Sequence, residues 1–140
     1  MEIERMLKMS EIVKNGLTEV EAQEALDKSM KRAEKILHDS EKIERVLERI
    51  NWKRLGEEVS KVAVMVDITK AYIKKEYTKI PLKSILAIVG TIIYLVNPFD
   101  IIPDILPIVG QLDDLSIILF CWKMISEDIN DYLAWKEENK

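Results

Sequence analysis

Residues 84–99 form a run of 16 residues without a charged side chain, and Pro98, Pro103 and Pro107 follow within ten residues. That pairing limits what the chain can fold into. Ile85, Leu86, Ile88, Val89, Ile92, Ile93, Leu95 and Val96 occupy every side of a helix wound through the run. A helix that is apolar all round must be covered from every direction, by protein or by lipid. At about 1.5 Å per residue the run makes about 24 Å of helix, short of the roughly 30 Å hydrocarbon core of a bilayer. The prolines then end it, because each lacks an N–H and its ring collides with the preceding helical turn.

The rest of the chain is free to be helical. It has only 4 Gly and 4 Pro in 140 residues, and its aromatic content is 6%. Its β-branched residues do not alternate as strands require. The expected fold class is all-α: a bundle of about five to six helices with a C-terminal apolar hairpin. One domain over 1–140 is expected, with amphipathic helices over 1–80, the hairpin over 81–125 and a helix end over 126–140. Such a length supports one real core.

Helix punctuation can be read along the chain. A short amphipathic helix over residues 2–14 is expected to stop at Asn15-Gly16. Thr18 and Glu21 form a capping box for the next helix, which runs to about Leu37 with Ala22, Ala25, Leu26, Met30, Ala33 and Ile36 on one stripe. His38-Asp39-Ser40 breaks it, with Ser40 as the cap of a helix carrying Ile43, Val46, Leu47 and Ile50. These two helices are expected to form a solvated antiparallel pair. Leu55, Val59, Val62, Val66, Thr69, Ile73 and Tyr77 predict one continuous helix from Arg54 to about Tyr77. Pro81 suits the first turn of the apolar helix. A last helix is expected from Asp114 to Glu137, along Leu115, Ile118, Leu119, Trp122, Ile125 and Ile129.

The segment between the apolar helices is too greasy for a loop in water and too rich in proline for one helix. Asn97 can cap a turn that has Pro98 at its first position and Asp100 in its third. Pro103 starts a second turn with Asp104 beside its free N–H groups; Pro107 and Gly110 end it. Asp113 can cap the last helix, with Asp114 in its first turn. The pattern Asn97-Pro98-x-Asp100-x-Ile102-Pro103-Asp104-x-x-Pro107-x-x-Gly110-x-x-Asp113-Asp114 resembles the signature of the YkvA-like domain-of-unknown-function family, DUF1232, over about residues 81–125. Asn97 stands where many members have Ser, a like-for-like capping change. The resemblance implies a helical protein, often membrane-associated, with no established reaction.

Asp100, Asp104, Asp113 and Asp114 also bring four carboxylates within 15 residues. Oxygen ligands of this kind hold Mg²⁺ or Ca²⁺. The spacing matches no calcium loop, so helix capping is the preferred reading and a divalent site the alternative.

Charge is uneven. Residues 1–80 hold 17 Lys+Arg against 16 Asp+Glu, and residues 81–140 hold 4 against 9. Neither half has the concentrated positive face that nucleic acid requires. Lys74, Lys75, Lys79 and Lys83 cluster before the apolar run. They complement a helix C-terminus or, alternatively, meet anionic lipid. Cys121 lies alone in an apolar stretch, which fits a buried small hydrophobe and excludes an internal disulfide and a Cys-cluster zinc site. His38 is the one histidine. With no nucleophile–base set, phosphate loop or dinucleotide fingerprint, hydrolase, kinase and oxidoreductase readings have no residues to rest on, and a non-enzymatic role is expected. The expected role is an interaction or scaffold module, acting on a protein partner or a second copy through apolar helices. A re-entrant membrane hairpin is the alternative. No secretory signal is expected, which places the chain in the cytoplasm or at its membrane face.

Overall fold

In the computed structural model, residues 2–96 and 114–140 are described, with side chains given for residues 3, 20–96 and 116–140. Among them there are six α-helices and no strand. The helices are α1 (Glu2–Ile36), α2 (Ser40–Glu48), α3 (Val59–Ile73), α4 (Leu82–Val96), α5 (Asp114–Met124) and α6 (Ser126–Glu138). Short 3-10 turns at Trp52–Arg54 and Gly56–Glu58 join α2 to α3.

Helix α4 is the uncharged run, and it is the axis of the molecule. Twelve of its residues, 84–95, are buried. Ile85, Ile88 and Ile92 are all but sealed from solvent. Burying one such side chain contributes roughly 1.5–3 kcal/mol, so this helix holds much of the apolar driving force. Helix α1 lies closest. Its inward positions Ala22, Ala25, Ser29 and Ala33 are small and buried, which lets the two backbones approach. They meet at Gly90: a methyl group added there would sit 3.0 Å from the Met30 backbone nitrogen and 3.1 Å from the Ser29 carbonyl carbon. On another side, the Cys121 thiol of α5 donates to the Ala87 carbonyl of α4 at 3.5 Å, and Thr91 donates to the same carbonyl at 2.8 Å. Both the buried hydroxyl and the thiol are therefore satisfied without a separate polar network.

Several boundaries depart from the expectations above. The chain does not stop at Asn15-Gly16, and Thr18 does not begin a helix: α1 runs unbroken for 35 residues. A mid-helix glycine costs about 1 kcal/mol, which a continuous helix anchored at one end can absorb. Helix α1 packs on α4 rather than pairing chiefly with α2, because its small-residue stripe fits α4 at Gly90. Asp39, not Ser40, caps α2, its carboxylate accepting from the Lys42 N–H at 3.2 Å.

The expected helix from Arg54 to Tyr77 is shorter at both ends. Gly56 takes φ +56°, outside right-handed helix, so α3 begins only at Val59. At the other end the Glu76 N–H bonds the Ala71 carbonyl and the Lys75 N–H bonds the Tyr72 carbonyl, with Lys75 at φ +61°. This is a Schellman stop, with lysine where glycine is usual. Pro81 does precede α4, and its carbonyl accepts from Ser84 and Ile85. The expected last helix is two helices, interrupted at the buried Ile125.

Gly90→Val is expected to destabilise the fold by about 1–3 kcal/mol, read as a lower urea midpoint, because α1's backbone cannot swing aside as a side chain can. An unchanged midpoint contradicts the close approach.

Candidate functional site

The apolar hairpin is the site singled out by sequence. The Cys121–Ala87 bond places the middle of α5 against the middle of α4. Ala87 lies nine residues before the end of α4, and Cys121 lies seven residues after the start of α5. Asn97, Pro98, Asp100, Pro103, Asp104, Pro107, Gly110 and Asp113 lie outside the described residues. Asp114 opens α5, as expected, but its side chain is not described. The readings of these residues as caps or as ligands to Mg²⁺ or Ca²⁺ thus fall on positions the structure does not describe. Among the described residues, no group of three or more His, Cys, Asp or Glu side chains is placed to hold a metal.

Cys121 itself is inert by design of its surroundings. Burial pushes its thiol up to about 12, against a smaller downward pull from Thr91. A thiol so protonated is neither nucleophile nor metal ligand at neutral pH. His38, in the turn between α1 and α2, is exposed.

The hairpin's sequence has known counterparts. Residues 84–120 match the model of a family described as "Protein of unknown function (DUF1232)". Over that segment the chain is similar to the DUF1232 family. The match runs from the first turn of α4 to the middle of α5, so it takes in the buried axis, the connection and the first half of α5. Over 91 residues the chain is 25% identical to the "Uncharacterized membrane protein YkvA" of Bacillus subtilis (strain 168), covering 65% of this chain and 83% of that protein. No solved structure matches.

Beside the DUF1232 region stands a polar and aromatic cluster that sequence reasoning missed. Asp67 of α3 accepts from the Tyr132 hydroxyl and from the Lys136 ammonium, both of α6. Tyr77, Tyr132 and Trp135 pack with ring centroids 5.0–5.7 Å apart. Ser84, at the start of α4, donates to Asp128 of α6. Together these tie the terminal helix to α3, to the α3–α4 corner and to the axis. A signal was available: Asp67 is the one acidic residue in the α3 sequence. Burial works to raise the Asp67 carboxyl, but bonds from Lys136 and Tyr132 outweigh it and hold the group below 3.8. Burial and the Asp67 carboxylate push the Tyr132 hydroxyl well up. Trp122 of α5 packs beneath Lys61, whose ammonium lies 5.9 Å from the ring centroid.

Two outcomes follow. Because Asp67 is lowered in the fold, its contribution is complete above the unfolded value of about 3.8 and is lost as pH falls through the lower folded value. Asp67→Asn is therefore expected to cost up to about 1 kcal/mol at neutral pH, since the pair faces solvent. That cost should shrink toward zero in strong acid, as read by urea unfolding; a pH-independent cost contradicts it. Separately, Cys121 should resist an aromatic disulfide reagent in the native protein and react at once in denaturant. Rapid native labelling contradicts its burial.

Proposed function

We propose that this chain is a non-enzymatic helical module that rests on an anionic membrane surface through its α3–α4 corner. The observation supporting this is the corner itself. Over residues 74–83 it carries Lys74, Lys75, Lys79 and Lys83, all exposed, against the single acid Glu76. Leu82 stands among them at 60% exposure. Among the described residues none of these lysines is in an ion pair. Basic side chains around an exposed aliphatic residue suit the headgroup region, where each contributes about 1 kcal/mol near an anionic leaflet. The whole chain is net −4, so the corner also orients the molecule, with its acidic remainder turned away.

Attachment from one side fits the use made of α4. The run best suited to lipid is already the core, and no helix among the described residues is long and apolar enough to cross a membrane. The Bacillus subtilis relative is named a membrane protein, in keeping with surface attachment. A second reading rests on α5, which exposes Leu119 and Met124 at 43% and 42%. Exposed apolar side chains of this kind suit a protein partner or a second copy of the chain.

Flotation with vesicles, without detergent, tests the first reading. The protein should float with phosphatidylglycerol-rich vesicles and not with phosphatidylcholine, and salt or carbonate should release it. Lys74→Glu with Lys79→Glu and Lys83→Glu should weaken binding roughly 100-fold or more. Carbonate-resistant pelleting overturns the reading in favour of insertion. Absence of vesicle binding overturns it too, and a concentration-dependent dimer in sedimentation then assigns the module to helix contact through α5.

A further inference from the structure

We infer that the groove beside this corner is a binding site for one aminophospholipid, its phosphate held by Lys75 and its primary ammonium by Glu34. The groove lies where the end of α1, the start of α2, the end of α3 and the start of α4 meet, and it holds about 910 Å³. That is the size of a small-ligand pocket. Its apolar lining includes Leu37, Ile73, Leu82 and Leu86, a channel for the first part of an acyl chain. Its charged lining is one anion and one cation, Glu34 and Lys75. Neither side chain makes an ion pair or a hydrogen bond with any other described residue. A purely anionic ligand would set like charge against Glu34, whereas a zwitterionic head answers both groups.

Lys75 supplies the second argument. It occupies the left-handed position of the Schellman stop at φ +61°, where a β-carbon is disfavoured and glycine would be relaxed. Strained positions of this kind cluster at functional sites. Lys75 lines the groove from this left-handed turn. The inference rests on the membrane-surface reading above, since the lipid would come from the leaflet on which the corner sits.

The test titrates the full chain with dihexanoyl-phosphatidylethanolamine and, separately, dihexanoyl-phosphatidic acid, below their micelle concentrations, by calorimetry. The ethanolamine lipid should bind at one saturable site, at least tenfold more tightly than the phosphatidic acid. Lys75→Gly should weaken that binding at least tenfold while raising the melting temperature, which separates loss of ligand from loss of fold. Glu34→Gln should remove the preference for the ethanolamine head. No saturable binding, equal binding of both lipids, or full binding by Lys75→Gly overturns the inference. Vesicle flotation keeps the two readings apart. A chain that floats on phosphatidylglycerol but ignores the short-chain lipid has the surface without the site. A chain that binds the short-chain lipid but never floats has lost the surface reading and kept the pocket.

Discussion

One constraint organises this molecule: a helix with no polar side has to be enclosed. α4 cannot expose any face to water without a large hydrophobic penalty, and 15 helical residues cannot reach across a bilayer. The remaining choice is to surround it with the chain's own amphipathic helices. Each neighbour does this differently. α1 offers a stripe of small side chains and comes in until its backbone meets Gly90. α5 offers Ile117, Ile118 and Cys121, and its thiol uses a carbonyl of α4. α2 and α3 fill the remaining sides with Ile43, Leu47, Val62, Met65 and Ile68.

Enclosing the axis leaves polarity to the edges, and the edges are where function can reside. The α6 helix is mostly charged outside, and it is fastened by Asp67, Asp128 and an aromatic trio rather than by a broad apolar face. The α3–α4 corner is fastened by Tyr77, buried against α6. With that residue anchored, the lysines around it are free to face outward. The strained Lys75 belongs to the same corner. The membrane-facing chemistry proposed for this protein therefore sits at the periphery of a core that is itself withdrawn from lipid.

Much of the fold was legible in the sequence. The absence of charge over residues 84–99 and the position of Pro81 give α4, its start and its central place. The 3-4 spacing of Ala22, Ala25, Leu26 and Ala33 gives the buried face of α1. Misreadings came where a local signal was weaker than its surroundings. Asn15-Gly16 is a good stop in isolation, yet its cost is small against a long helix. Lys75 is no stop by composition, yet the backbone turns there, and only a residue's φ reveals it. The break at Ile125 carries no glycine or proline to announce it. The candidate site was less legible. The Asp67–Tyr132–Lys136 cluster joins residues 65 and 69 positions apart, and the groove assembles four helix ends, so neither has a sequence spacing to detect. The proline and aspartate pattern was read clearly, and it coincides with the DUF1232 match.

The central claim is that α4 is the enclosed core of a bundle rather than a lipid-facing segment. Amide hydrogen exchange on the full chain, in buffer without detergent and again with phosphatidylglycerol vesicles, measures this directly. The account predicts that residues 86–95 are the slowest-exchanging amides in the protein and that their rates are the same in both conditions. Fast exchange of these amides in buffer, slowed only when vesicles are added, would show that lipid and not protein covers the helix, and would contradict the account.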